Sequence, residues 1–313
     1  PSLSPVDMWD RWDVEWLQSV ATDGYGAAGH ENNFAFLPGL PLVEQLLQHS
    51  GISLTAAGLL VSLIAGLLAA LELGRLTEDA GGRAEWGVAT WVLAPVAVFL
   101  AAPYTEALFC AFAFWAWVLA RRGSWVLSCV LIAAASWVRV NGLFLALAAA
   151  VAFFTSPRRD WRKAPALLLP FLAAAGWMAY YQHLTGSWLT WFEAEGAGWD
   201  RRLTNPWQAL VTTYEMGWTN GLAASFAVQY RIEIAVMLIL IALGVVMAVK
   251  RWWGEATYVL LTCLALGTST LYYSVPRASL TLFPVWMLLG LWVTRSRVFA
   301  VLLALALVAG CQA

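Results

Sequence analysis

The stretch MWDRWDVEW, residues 8–16, sets three tryptophans and three carboxylates into nine positions of a chain that is otherwise mostly apolar. A carboxylate can take a proton from a hydroxyl, and an indole presents an apolar ring with a wet N–H. Two arginines stand in apolar settings, Arg139 in RVNG (139–142) and Arg277 in SVPRASL (274–280). A planar guanidinium in such a place suits an anion such as phosphate, which it grips bidentately. On a helix Trp9, Trp12 and Trp16 fall at i, i+3 and i+7 as one stripe, with Asp13 on its flank and Asp10 farther round. Two readings stay open on these residues alone: a helix lying in the membrane interface with solvated acids, or acids that serve a site.

The elements that must position these residues are membrane helices. Of 313 residues 61% are hydrophobic and 12% charged, and the mean hydropathy is +0.69. That is too apolar for a soluble domain and implies an all-α polytopic membrane protein. The net charge of -1 hides an acidic start: Asp7, Asp10, Asp13, Glu15, Asp23, Glu31 and Glu44 face one cation, Arg11, in the first 49 residues. Nothing points to nucleic acid. Cys110, Cys129, Cys263 and Cys311 sit apart in apolar runs and read as packing residues, not a disulfide framework or a thiolate metal site.

Apolar runs fall at 52–73, 86–102, 104–120, 125–137, 143–155, 164–184, 232–249, 256–274, 278–294 and 298–311. Lys and Arg cluster in RRGS (121–124), SPRRDWRK (156–163), KRWW (250–253) and RSR (295–297), which the positive-inside rule assigns to the cytoplasm. For RRGS and SPRRDWRK to share a face, 125–155 must break near RVNG into two short helices. The acidic N-terminal loop, PYTEALF (103–109), RVNG, residues 185–231 and SVPRASL then share the outer face. Short broken pairs there imply a cavity opening outward, since non-helical backbone at membrane depth needs protein or water to cover it. The organisation expected is one membrane domain, 1–313: an outer loop with an interfacial helix (1–51), helices with broken pairs (52–184), an outer amphipathic segment (185–231) and C-terminal helices (232–313). The start at Pro1 without a signal peptide leads to the expectation that one N-terminal helix is missing. VAGC (308–311) reads as a chance match to a lipoprotein box.

Five strings in order carry a family resemblance. RWDVEWLQSVATDGY (11–25), HENNFAFLPGLPL (30–42), PYTEALF, RVNG and RASLTLFP (277–284) together resemble the signature of the PIG-V family of mannosyltransferases. Leu37 replaces a usual aromatic and Thr105 a usual serine. The resemblance implies a GT-C fold and transfer of mannose from a polyprenyl-phosphate-mannose donor to a hydroxyl of a glycolipid or other extracytoplasmic acceptor. It implies an aspartate base on the first outer loop, matched by Asp13 with Asp10 second, and an inverting displacement.

Such a displacement deprotonates the acceptor on one face and stabilises a departing phosphate on the other. Arg139 and Arg277 are the candidates for the phosphate; a structural ion pair of Arg139 with Glu106, and snorkelling of Arg277 to headgroups, are the plainer alternatives. His30, Glu31, Asn33, Glu106 and Asn141 are candidates for sugar or acceptor binding. Trp199 and Arg201, with Pro206 and Trp207, match an element of bacterial relatives. No metal or other cofactor is expected. The composition hints at a high-GC bacterium, hence a bacterial plasma membrane with the site on its extracytoplasmic face. A lipid or sugar transporter, or a noncatalytic membrane subunit, is the competing function.

Overall fold

The computed structural model describes residues 5–157 and 159–310; Arg158 of SPRRDWRK and Cys311 lie outside them. Every regular element among the described residues is helical. In chain order they are α1 (Asp13–Thr22), α2 (Gly39–Gln48), α3 (Leu54–Asp79), α4 (Ala84–Val92), α5 (Val98–Ala101), α6 (Thr105–Arg121), α7 (Trp125–Val138), α8 (Asn141–Thr155), α9 (Leu169–Thr185), α10 (Thr190–Trp199), α11 (Pro206–Trp218), α12 (Ala224–Val249), α13 (Trp253–Gly267), α14 (Val275–Ser279), α15 (Phe283–Arg295) and α16 (Arg297–Gly310). Short 3-10 turns occupy Asp7–Trp9, Glu31–Ala35 and Trp161–Leu168. The segments Leu54–Asp79, Trp161–Thr185 and Ala224–Val249 are long and apolar enough to cross a membrane, and α7 and α8 are shorter apolar helices. This is the all-α polytopic membrane protein expected.

The break predicted near RVNG is present: α7 ends at Val138, Arg139 and Val140 leave the helix, and α8 starts at Asn141. Lys163 Nζ donates to Gly123 O at 2.9 Å, so the two basic loops meet at one end of the α6–α7 hairpin. Two other runs are more broken than expected. Residues 86–102 divide into α4 and α5 around Pro95, and 278–294 into α14 and α15, whose first turn holds Pro284. The opening stretch also departs from expectation. Trp9 ends a 3-10 turn, and Trp12 has φ 54° and ψ -119°, a conformation that residues with a Cβ rarely adopt. The helix therefore starts only at Asp13, and the single tryptophan stripe does not form.

The chain packs as two compact units: one of Pro1–Ala69, Val98–Ala146 and Arg159–Arg201, the other of Ala70–Ala97, Leu147–Arg158 and Arg202–Ala313. In the first, α7 packs on α6, α9 and α2, and α10 on the 3-10 turn at Glu31–Ala35. Gly39 opens α2 where an added Cβ would lie 2.6 Å from Val138 and 2.9 Å from the Trp137 carbonyl, so only glycine lets α2 seat on the end of α7. In the second unit α4 runs along α15, and α12 packs on α11, α13 and α14. The irregular backbone between α14 and α15 is satisfied from the side. Trp286 Nε1 donates to Ser279 O (2.8 Å), Trp91 Nε1 to Leu280 O (3.0 Å) and the Tyr258 hydroxyl to Thr281 O (3.1 Å). Buried non-helical carbonyls need such partners in an apolar medium.

Candidate active site

Five charged residues of the first unit form its polar centre. Asp13 is the first residue of α1 and half-buried. The antiparallel α6–α7 hairpin brings the start of α6 to the end of α7, where Arg139 Nη1 donates to Thr105 Oγ1 (2.6 Å) and Glu106 Oε1 (2.9 Å). The Glu106 carboxylate is fully buried, while the arginine side chain keeps 23% of its surface exposed. Arg139 Nε is buried and has no hydrogen-bond partner among the described residues. One Nη is thus fixed by Thr105 and Glu106 while part of the arginine side chain stays exposed, which leaves it able to meet an anion such as a phosphate oxygen.

From α10, Glu195 reaches the same centre. Its Oε2 lies 3.8 Å from Arg201 Nε. Burial raises its carboxyl above the ordinary carboxylate range, Arg201 and Arg139 lower it, and Asp13 raises it further. The sequence reading missed Glu195. Its signal was faint, because Asp200 ends α10 in the left-handed conformation and folds Arg201 N back onto Glu195 O (3.2 Å), a pairing no helical spacing announces.

Aromatic packing holds these groups together. The Trp16 ring meets His30 edge-on at 5.4 Å and Trp199 at 5.7 Å, and Trp199 also meets Phe36 at 5.3 Å. Trp191 Nε1 donates to Ala35 O (3.1 Å), and the Tyr25 and Tyr181 hydroxyls both donate to Phe36 O (2.8 and 3.2 Å). Residues 30–36 are thereby clamped between α1, α9 and α10.

Several expected ligands hold scaffold positions. Asn33, expected at the sugar, is buried with its amide spent: Nδ2 donates to Ser19 Oγ (3.1 Å) and Gly24 O (2.9 Å), and Oδ1 accepts from Gly26 N (3.0 Å). Glu106, expected at the acceptor, is buried and accepts from Arg139 Nη1. Glu31 is exposed, and the Gly29 N–H bound to its Oε1 at 3.0 Å holds its carboxyl below the ordinary value. His30 is half-buried against Trp16, Asn141 opens α8 beside Arg139, and Asp10 is exposed. Arg277 belongs to the second unit. It lies on α14, whose start is capped by Glu233: the two carboxylate oxygens accept from Ser274 N (2.9 Å) and Val275 N (2.7 Å). Among the described residues no group of three or more His, Cys, Asp or Glu side chains could hold a metal ion.

Residues 6–156 match the family model described as mannosyltransferase (PIG-V), and so bear out the resemblance read from the motifs. The chain is 37% identical over 146 residues to the GPI alpha-1,6-mannosyltransferase 2 of Rattus norvegicus, covering 42% of this chain and 29% of that protein. It is 35% identical over 163 residues to the Homo sapiens protein of the same name, covering 47% and 32%. To the GPI mannosyltransferase 2 of Yarrowia lipolytica it is 34% identical over 136 residues, covering 42% and 32%. The matched segment thus spans less than a third of the length of these relatives. No solved structure matches the chain.

Proposed function

We propose, from the premise that residues 6–156 match the PIG-V mannosyltransferases, that this chain is a membrane mannosyltransferase. It moves mannose from a polyprenyl-phosphate-mannose donor to a hydroxyl of a lipid-linked acceptor on the extracytoplasmic face, with inversion at the anomeric carbon. The acceptor class follows the relatives, whose names specify GPI.

The observation that carries this reading is the pairing of opposite chemistries in one unit: Asp13 at the first turn of α1, and Arg139 with one Nη fixed by Glu106 and Thr105 and part of its side chain exposed. In the proposed step an acceptor hydroxyl oxygen attacks the anomeric carbon as its proton passes to the Asp13 carboxylate. The bond from that carbon to the phosphate oxygen breaks, and the departing phosphate keeps the electron pair. Arg139 stabilises the charge that appears there. A positioned carboxylate base contributes about 10²- to 10⁴-fold. The strained backbone of Trp12 immediately before Asp13 supports the same assignment, because such conformations persist where the surrounding structure imposes them and cluster at active sites. Transfer without a divalent metal is part of the proposal.

The test is sugar transfer by purified protein in lipid nanodiscs supplied with radiolabelled polyprenyl-phosphate mannose and a glycolipid acceptor fraction, with and without EDTA. The reading expects chelation-resistant labelling of the glycolipid with inverted anomeric configuration. No transfer to any acceptor fraction would instead favour a transporter or a noncatalytic subunit.

A further inference from the structure

The second unit holds a cavity that the proposed chemistry does not use. Its volume is about 280 Å³, and it is lined by Ser225, Gln229, Ile232 and Glu233 of α12 and by Pro276 of α14. All five residues belong to that unit. Ser225, Gln229 and Glu233 stand at i, i+4 and i+8, so one face of α12 builds the wall, with Ile232 on its flank. From Ile234 to Val249 the same helix is wholly apolar. The polar face is thus confined to the first turns of a helix long and apolar enough to cross a membrane, where polar side chains mark ligand sites.

Backbone anchoring shapes the cavity. Glu233 is 3% exposed and accepts from Ser274 N (2.9 Å) and Val275 N (2.7 Å), with Ser274 in the left-handed conformation at φ 61°. That holds Pro276, the next residue, over the face of α12 where Ser225 and Gln229 are exposed. The lining selects the ligand. A hydroxyl and an amide each donate and accept, as sugar hydroxyls do, while Ile232 and Pro276 offer the apolar surface that the C–H face of a pyranose ring needs. The one charged residue among the described lining residues is a carboxylate, which disfavours an anionic headgroup. Arg231, beside Ile232 in sequence, is engaged elsewhere: its Nε donates to Gly217 O (2.8 Å) and its guanidinium lies 5.1 Å from the centre of the Trp218 ring. The volume is at the small end for ligand pockets, the size for a single sugar ring. Beyond the cavity Leu238, Ile239, Ile241 and Val245 are exposed along α12 and give a lipid tail a surface to lie on.

We propose that this cavity is a second binding site, for the neutral hexopyranose headgroup of a membrane glycolipid. Ser225 and Gln229 bond its hydroxyls, and Ile232 and Pro276 pack on its ring. The site stands independently of the assignment of Asp13 as the base.

The experiment is photolabelling of the full chain in phosphatidylcholine nanodiscs with octyl α-D-mannopyranoside carrying a diazirine in its alkyl chain, with no sugar donor present and the labelled peptides read by mass spectrometry. Label falls on peptides of α12 and α14, is displaced by excess unlabelled octyl mannoside and survives excess inorganic phosphate. Gln229→Leu, a change at an exposed position, lowers it by about fivefold, the loss expected for one hydrogen bond. Ile232→Trp, which fills the cavity and keeps the polar wall, lowers it as well. Displacement by methyl α-D-mannopyranoside at the same concentration supports the sugar site and assigns it to a soluble sugar in place of a glycolipid. Equal labelling of wild type, Gln229→Leu and Ile232→Trp overturns the proposal, as does displacement by phosphate. No transfer is measured, so failure of the transferase reading leaves the outcome of this test unchanged.

Discussion

Arg139, at the end of α7, donates to Glu106, at the start of α6, across 2.9 Å, with the carboxylate fully buried and the guanidinium partly open. The pair joins the two strings PYTEALF and RVNG into one structural feature. It also explains how an arginine is tolerated at the break between two apolar helices: a buried carboxylate meets its charge from inside the unit, and part of the side chain remains exposed.

Removing the buried partner should be expensive. Glu106→Ala strands Arg139 and is expected to cost about 3 kcal/mol, the lower end of the range for breaking a buried pair because the arginine is partly exposed. Glu106→Gln keeps the hydrogen bond and should cost less. Thermal unfolding of both variants in detergent checks the order, and equal midpoints for Glu106→Ala and wild type would contradict it.

Glu44 predicts a pH dependence of stability. It is fully buried on α2, neither carboxyl oxygen has a hydrogen-bond partner among the described residues, and burial pushes its carboxyl up to about 8. The folded protein keeps the proton that the unfolded chain loses near 4.5. The contribution of Glu44 to stability is therefore greatest below about pH 4.5, falls by up to about 1.4 kcal/mol per pH unit as pH rises, and levels off above about 8. Glu44→Gln should flatten that part of the slope in a series of melting curves from pH 5 to 9. Gly58→Ala should destabilise at every pH, because its Cβ would lie 2.5 Å from Glu44 Oε1 and 2.6 Å from Pro103.

Trp199 is expected to act as the fastener of α10. Trp199→Ala removes its contacts with Trp16 and Phe36, at a cost of about 2 kcal/mol. Amide exchange across Thr190–Trp199 should quicken while α6 and α7 keep their protection, and transfer should fall more than tenfold. Unchanged exchange in α10 would show that Trp191 and its bond to Ala35 O suffice.

The contact of Lys163 with Gly123 gives a topological prediction. Cysteines in Gly123→Cys and Lys163→Cys, introduced singly, should react with an impermeant maleimide from the same side of a sealed vesicle, and together should cross-link. Labelling from opposite sides would contradict the shared loop face that the broken α7–α8 pair creates.

Legibility from sequence followed the range of the interaction. The break at Arg139 was readable because a charge and a glycine interrupt a long apolar run, and the meeting of the basic loops followed from charge parity alone. The pairing of Arg139 with Glu106 was foreseen as one alternative, since both are ionisable residues in apolar surroundings. The positive φ of Trp12 was not readable, because it is a conformation that residues with a Cβ rarely adopt and no glycine or asparagine announces it. The scaffold role of Asn33 was hidden for a related reason: its three partners, Ser19, Gly24 and Gly26, converge through the fold of the loop. Glu195 escaped because its pairing with Arg201 depends on the left-handed turn at Asp200, which no helical spacing announces.

The central claim is that Asp13 accepts the proton of the acceptor hydroxyl. The most direct test is the single-turnover rate of mannose transfer from polyprenyl-phosphate mannose, in nanodiscs at equal folded yield, for wild type and Asp13→Asn. The account predicts a loss of at least about 100-fold in rate with donor binding retained. A variant that transfers mannose at the wild-type rate would contradict it.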